Sequence, residues 1–141
     1  LEAIYDLQPI LHLNELEAKA FSACEEIAEA AKTLYQRTEQ LVVVTLGEQG
    51  AIAYDGSWYE AAGFPTEVLD TVGAGDSHLG AFLAACLHGV EVEDALIFAN
   101  RLASKVVATR GVHLGRHHYH ALEQELNQLV QLKRREWDRN R

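Results

Sequence analysis

The sequence predicts an α/β fold in which a layered sheet is flanked by helices. Apolar runs at 9–13 and 41–46 are typical of buried strands, and between them apolar residues recur at helical spacing. A glycine-rich turn at 70–77 then precedes a small-residue apolar segment that is typical of a buried helix. Because strands and helices follow one another along the chain, we expect one layered α/β arrangement.

The first half of the chain is predicted to form a strand, a helix, a second strand and a hairpin. The run at 9–13 suits a buried strand that ends at Asn14. From Glu15 one long helix is predicted, because apolar residues recur at intervals of three and four: Leu16, Ala20, Cys24, Ile27, Ala31 and Leu34. The β-branched run at 41–46 predicts a strand covered on both faces, and 47–50 a turn. Residues 51–54 and 58–61 then predict a hairpin around Asp55-Gly56-Ser57.

Helices dominate the prediction for the second half. Val68 and Leu69 are expected to end a strand, and a buried helix is predicted over about 74–88, stopped by Gly89. An Ala- and Leu-rich helix follows from Glu91 to about Thr109, and then a loop at 111–115. The last predicted helix is amphipathic and carries Leu122, Leu126, Leu129, Val130 and Leu132. Cys24 and Cys86 are expected on apolar helix faces, as buried reduced thiols of a cytoplasmic protein.

Length and composition limit the class of protein. The 141 residues, 48% of them hydrophobic, suffice for one core, so a single partial domain is expected over 1–141. No apolar run reaches about 18 residues, so no membrane span is predicted. The formal net charge of −9 argues against general affinity for nucleic acid. The basic tail at 133–141 is expected to be a solvated helix end, with contact to phosphate backbones as the alternative.

The turn Asp70-Thr71-Val72-Gly73-Ala74-Gly75-Asp76-Ser77 carries the strongest functional signal. Its glycines allow a sharp backbone turn at a helix N-terminus, where several N–H groups lack a partner within the helix. Those donors and the helix dipole favour an anion such as phosphate. Asp76 would repel that anion unless it has its own task, and general-base work on a hydroxyl is the natural one. The alternative is structural: Asp76 favours the helix dipole, and the glycines shape a strand–helix turn.

This turn and its small-residue helix resemble the second signature of the ribokinase-like (PfkB) carbohydrate kinases. The resemblance spans about 8–116 and implies the C-terminal, ATP-side half of that Rossmann-like fold. It implies an ATP-dependent kinase that phosphorylates an alcohol group of a sugar or similar small molecule, with Mg²⁺ as a further cofactor. Asp76 would be the catalytic base, and the amides of Gly73, Ala74, Gly75 and Asp76 would hold charge on the phosphoryl oxygens.

The same resemblance assigns a role to the segment Asn14-Glu15-Leu16-Glu17-Ala18. Asn14 would face the ATP phosphates, and Glu17 would hold Mg²⁺ through water, since Mg²⁺ keeps several waters when it bridges phosphates. Taken alone, these two residues are an N-cap and a first-turn acid of a helix.

Two further motifs would contact the nucleotide. In the segment T-L-G-E-Q-G at 45–50, Thr45 would offer a hydroxyl and Gly47 would allow close backbone approach. A strand-to-hairpin turn that needs glycine is the alternative. In Phe98-Ala99-Asn100, Asn100 would make a polar contact near adenine, and without the resemblance it is one more polar residue of a helix face.

The resemblance also implies a monovalent-cation site, and two features of the sequence depart from the family pattern. Asp70 and the Val72 carbonyl would help to bind a monovalent cation, K⁺, beside the anion hole. Further carbonyls would come from about Val107, Arg110, Gly111 and Gly115. The loop at 109–112 is one residue shorter than the common T-R-x-G-A form, which puts that cation site in doubt. His78 stands where the family often has an aromatic residue, and we expect it to alter the acceptor pocket.

Four histidines close in sequence invite a metal interpretation. They are His113, His117, His118 and His120. No cysteine accompanies them and their spacing matches no common zinc pattern, so solvated side chains are expected.

The N-terminal half of the family fold has no counterpart in these 141 residues. A sheet cut at its middle would expose a long strand edge, so we expect a fragment, or a chain completed by another polypeptide or a second copy. The expected partner is a small-molecule sugar or nucleoside, which the sequence does not identify further. The main hypothesis is a kinase. The alternatives are a non-catalytic nucleotide-binding or assembly module and, more distantly, a dehydratase on a related fold.

Overall fold

The computed structural model describes residues 2–110 and 114–139. Contacts divide the chain into two compact units, Leu1–Gly63 and Phe64–Arg141. The first unit contains the sheet, and the second contains three long helices. None of the described helices has the length and hydrophobicity needed to cross a membrane. The expectation of one partial domain over 1–141 stays a prediction.

The first unit is a four-stranded mixed sheet with helices packed on it. Its elements are α1 (Glu2–Tyr5), β1 (Leu11–Asn14), α2 (Glu15–Ser22), α3 (Ile27–Thr38), β2 (Val42–Thr45), a 3₁₀ turn (Gly47–Gln49), β3 (Gly50–Tyr54) and β4 (Trp58–Ala62). The strand order is β1-β2-β3-β4; β1 and β2 are parallel, and the other neighbours are antiparallel. The strands, turn and hairpin predicted from the sequence are therefore confirmed.

The core of the first unit forms around β2. All three valines of this strand, at 42–44, are fully buried, as the unbroken β-branched run predicted. Val42 and Val44 pack with Leu34 of α3 and Ile52 of β3 in one apolar cluster. Because β1 and β2 are parallel, their carboxyl ends meet at one edge of the sheet, where Asn14 is paired with Thr45.

The single long helix predicted from Glu15 is wrong. The chain forms two helices, α2 and α3, because Ala23 adopts a left-handed backbone with φ 59°. The hydroxyl of Ser22, a buried residue, accepts the Cys24 amide at 3.1 Å and so replaces the next helical hydrogen bond. Cys24 thus lies in the link between the helices, half-buried and 3.5 Å from Thr33 Oγ1, and not on a helix face.

The second unit is helical, as predicted. It comprises α4 (Ala74–Leu87), α5 (Val92–Val107) and α6 (Arg116–Arg139). Helix α4 packs along α5, and Arg101 of α5 pairs with Glu125 of α6 at 3.1 Å. Residues 133–139 of the predicted basic tail belong to α6, whereas 140–141 of the tail and 111–113 of the predicted loop lie outside the described residues.

Helix α4 is buried along one face only. The buried residues are His78, Ala81, Phe82 and Ala85, whereas Leu87 is 88% exposed. Cys86 is half-buried, and this burial raises the pKa of its thiol, which favours the protonated form. Gly89 follows with φ 78°, a left-handed conformation that ends the helix as predicted.

Val68 and Leu69 do not end a strand, contrary to the prediction. They lie in an irregular, exposed segment. The amides of Leu69 and Asp70 donate to the Val107 carbonyl at the end of α5, at 2.8 and 3.2 Å. This segment therefore satisfies its backbone on a helix terminus, and its apolar residues resemble a strand only in sequence.

Gly50 has a backbone conformation that other residues rarely adopt, with φ 106° and ψ −130°. A Cβ at Gly50 would also collide with the backbone carbonyl of Ala61. We expect Gly50→Ala to lower the free energy of unfolding by about 2–4 kcal/mol, because strain and collision add.

The matched control is Gly80→Ala in α4, where a Cβ would meet no heavy atom within 4 Å. This change should raise the free energy of unfolding by about 0.5–1 kcal/mol, since alanine restricts the unfolded chain and favours helix. Chemical denaturation measures both changes. A Gly50→Ala protein as stable as the wild type would contradict the geometry of this turn.

Candidate functional site

The glycine-rich turn leads directly into α4. Gly73 is the residue before the helix and has φ 77°, a left-handed conformation that glycine adopts without strain. The Ser77 amide donates to the Gly73 carbonyl at 2.9 Å and closes the first helical turn. Asp70 Oδ1 accepts a hydrogen bond from the Val72 amide at 3.0 Å, and this bond stabilises the turn that precedes the helix.

The backbone amides of this turn differ in their partners. The Ala74 amide donates to the Thr71 carbonyl at 3.2 Å. In the part of the chain that the structure describes, the amides of Gly73, Gly75 and Asp76 have no intramolecular acceptor. These three donors lie at the positive end of the α4 dipole, which favours an anion. The predicted anion hole thus keeps three of its four amides, and its role stays a prediction.

Gly75 is a glycine that the fold does not require. Its φ lies outside the left-handed region, and a Cβ there would meet no heavy atom within 4 Å. Alanine would therefore fit the same backbone and would favour the helix. Close approach of a ligand to the backbone remains as a physical reason for glycine at this position.

Asp76 and His78 lie on opposite faces of α4, because residues two positions apart in a helix are separated by about 200° around its axis. Asp76 is exposed, as a base that meets a substrate must be. His78 is 2% exposed, and its Nε2 lies 3.0 Å from Oδ1 of Asn100 in α5. This pair was not predicted from the sequence. The expected effect of His78 on an acceptor pocket, and the adenine contact of Asn100, stay predictions.

Asn14 and Glu17 form a capping box at the start of α2. Asn14 Oδ1 accepts the Glu17 amide, and Glu17 Oε2 accepts the Asn14 amide, each at 2.9 Å. The structural interpretation of this pair, an N-cap and a first-turn acid, is confirmed. Both side chains are exposed. Among the described residues the second carboxylate oxygen of Glu17 makes no hydrogen bond, which fits a cation held through water.

Thr45 and Gly47 lie at the same sheet edge as Asn14. The Thr45 hydroxyl donates to the Leu13 carbonyl at 3.4 Å. Gly47 has φ 61° and begins the 3₁₀ turn, so the backbone requires glycine there, as the structural alternative held. The first unit thus brings together Asn14, Glu17 and Thr45 beside this turn, and the second unit brings together Gly73, Gly75 and Asp76.

The predicted cation ligands are partly engaged in backbone contacts. The Val107 carbonyl accepts two amide hydrogen bonds, which use both of its lone pairs. Gly111 lies outside the described residues. A monovalent cation at Asp70 and the Val72 carbonyl stays a prediction, and Val107 is a poor ligand for it.

The histidines after the loop form no metal centre in the described ranges 2–110 and 114–139, where no group of three or more His, Cys, Asp or Glu is placed to hold a metal ion. The rings of His117 and His118 lie 3.9 Å apart, and His120 Nδ1 is 3.7 Å from Glu123 Oε2. Desolvation, with the charges of His117 and Lys105, lowers the pKa of His118. His113 lies outside the described residues.

These features define an α/β protein in which a mixed sheet is followed by a glycine-rich turn at the start of a helix. The chain matches the model of the pfkB family carbohydrate kinases over residues 1–117 and belongs to that family.

Two curated relatives illustrate the similarity. The uncharacterized sugar kinase YegV of Escherichia coli is 36% identical, over 79% of this chain and 36% of its own length. The cytidine kinase of Thermococcus kodakarensis is 33% identical, over 79% of this chain and 41% of its own length. The chain thus spans about two fifths of the length of these relatives.

Solved structures show the same fold. A ribokinase from Thermotoga maritima is 26% identical with a TM-score of 0.74, over 88% of this chain and 45% of its own. An adenosine kinase from Sinorhizobium meliloti is 25% identical with a TM-score of 0.78, over 87% and 39% of the two chains. The predicted ribokinase-like α/β fold is therefore confirmed.

The capping box yields a test of Asn14. We expect Asn14→Ala to lower the free energy of unfolding by about 1 kcal/mol, because the Glu17 amide loses its acceptor. Asn14→Asp keeps an oxygen acceptor at the helix start and should be as stable as the wild type. Chemical denaturation measures both, and an equal loss in the two variants would argue against a capping role.

Proposed function

We propose that this chain is the nucleotide-side part of an ATP-dependent phosphotransferase that phosphorylates an alcohol group of a sugar or nucleoside. One observation carries the proposal. In a chain of the pfkB family, Asp76 is exposed in the first turn of α4, which follows left-handed Gly73. The amides of Gly73, Gly75 and Asp76 beside it have no acceptor among the described residues. A base and an anion site thus share one turn.

The proposed step is an in-line transfer. The acceptor oxygen forms a bond to the γ-phosphorus while its proton passes to the Asp76 carboxylate. The bond between the γ-phosphorus and the oxygen that bridges to the β-phosphate breaks, and ADP leaves. The amides of Gly73, Gly75 and Asp76 donate to the phosphoryl oxygens as negative charge moves among them.

The first unit would supply the nucleotide contacts. Asn14 has a side-chain amide and Thr45 a hydroxyl at one edge of the sheet, and Gly47 has no side chain to keep a ligand from its backbone. Glu17 would hold Mg²⁺ through water with the carboxylate oxygen that the cap leaves available. When bound, Mg²⁺ would neutralise charge on the β- and γ-phosphates.

The names of two relatives support the proposal that the acceptor is a small molecule with an alcohol group. One relative is a cytidine kinase, and a fructoselysine 6-kinase of Escherichia coli is 35% identical over 71% of this chain. These names support a sugar or a nucleoside and do not choose between them.

A non-catalytic nucleotide-binding or assembly module is the second candidate. The observation in its favour is that Asn14, Thr45 and the amides of the α4 turn can bind a nucleotide without any transfer of phosphate. Calorimetry of the 141-residue chain with Mg²⁺ and ATP, together with a phosphate-transfer assay, separates the two functions. If ATP binds but the full-length protein transfers phosphate to no sugar or nucleoside, the result would favour the module.

Asp76→Asn tests the base. We expect this change to lower kcat by about 10²-fold or more, because the amide cannot take the proton of the acceptor hydroxyl. The Kd for ATP, measured by calorimetry, should not rise, since an amide of similar size replaces the carboxylate and removes its repulsion of the phosphates. Retained turnover in the full-length protein would rule out Asp76 as the base.

Gly75→Ala tests the anion hole. The added methyl group fits the fold, so the melting temperature should stay the same or rise. It would stand where phosphoryl oxygens approach the backbone, and we expect kcat to fall about tenfold or more. Gly80→Ala makes the same chemical change in the same helix and should leave kcat unchanged. Equal activity of the two variants would contradict an anion hole at Gly75.

A further inference from the structure

A buried polar contact joins α4 to α5. His78 and Asn100 are 2% and 5% exposed, and His78 Nε2 lies 3.0 Å from Asn100 Oδ1. Because an amide oxygen only accepts, His78 donates through Nε2–H in this geometry. A buried hydrogen bond of this kind is directional, so it constrains how the two helices can rotate against each other.

The apolar residues around this contact are buried but lack that directionality. The buried face of α4 continues from His78 through Ala81 and Ala85, and α5 contributes Ala95 and Ala99, all at most 5% exposed. Alanines let two helices come close, and the burial of their side chains, like that of Phe82 in α4, is non-directional. The hydrogen bond is thus a directional contact that helps to set the rotation of α4 at its first turns.

We propose that His78 and Asn100 are a positioning pair: their hydrogen bond holds the first turn of α4 so that Asp76, on the opposite face, stays directed outward. His78 follows Asp76 by two residues, so a rotation of this turn that moves one side chain moves the other. The positioning role stands on the geometry alone, and its effect on turnover rests on the proposed function.

Hydrogen exchange tests the positioning without any activity. His78→Phe keeps an aromatic side chain but loses the donor, and the amides of residues 77–81 should exchange about tenfold faster. His78→Gln can return an N–H to Asn100 and should bring exchange to within about threefold of the wild type. Asn100→Leu breaks the same bond from α5, should match His78→Phe, and serves where that variant does not fold.

The matched control is Ser104→Ala, which removes a hydrogen bond that Ser104 makes within α5, at 2.8 Å to the Arg101 carbonyl. Exchange at 77–81 should be unchanged in this control, and exchange in α3 should be unchanged in every variant. Unaltered exchange at 77–81 in both His78→Phe and Asn100→Leu, or no recovery in His78→Gln, would overturn the proposal.

Kinetics of the full-length protein then test the consequence for Asp76. His78→Phe should lower kcat about tenfold while KM for ATP stays within about twofold, and His78→Gln should recover kcat. A raised KM with unchanged kcat would place the pair in nucleotide binding and overturn its role toward Asp76. A wild-type protein that transfers no phosphate would contradict the proposed function. The hydrogen-exchange result would still show whether His78 and Asn100 position the first turn of α4.

Discussion

The position at which α4 begins determines what the second unit can do. Gly73 supplies the left-handed residue, and the helix follows at Ala74 without an intervening linker. From that start the helical repeat directs Asp76 to solvent and His78 to the interior. A helix that began one residue later would be rotated by about 100°, and neither side chain would keep its surroundings. A backbone dihedral angle at one glycine thus separates a solvent-facing carboxylate from a buried polar contact.

The sheet edge of the first unit depends on a comparable backbone constraint. The Leu46 amide donates to the Gly50 carbonyl at 2.8 Å, and the Gly63 amide to the Gln49 carbonyl at 3.1 Å. At both Gly50 and Gly63 a Cβ would collide with neighbouring backbone. The turn after β2 is therefore held tightly against the end of β4. Because the β1–β2 register places Asn14 beside Thr45, this turn keeps a small polar group at one edge of the sheet.

The sequence was informative where a run of residues forms a pattern, and it failed where a single side-chain hydrogen bond contributes to the structure. The valine run of β2 and the glycine-rich turn of α4 were predicted because burial and backbone freedom leave local signatures. The break after α2 was missed because alanine favours helix, and the left-handed Ala23 depends on the Ser22 hydroxyl. The His78–Asn100 pair was missed because its members are 22 positions apart. The signal that could have revealed the pair was a polar residue on the apolar face of each helix, His78 in α4 and Asn100 in α5.

The structural and functional interpretations of Asn14 and Glu17 do not compete, because they use different atoms. The capping box engages Asn14 Oδ1 and Glu17 Oε2, so the side-chain nitrogen of Asn14, Nδ2, and the second Glu17 oxygen are the atoms that would contact a ligand. Each side chain is held by a backbone amide before any ligand arrives, so less rotamer entropy is lost on binding. Gly73 and Gly75 also differ in what the fold asks of them. The left-handed backbone at Gly73 requires glycine, whereas the backbone at Gly75 would accept alanine. In this chain Gly75, which the fold leaves unexplained, lies in the same helical turn as the exposed carboxylate of Asp76, and the proposed chemistry needs both residues.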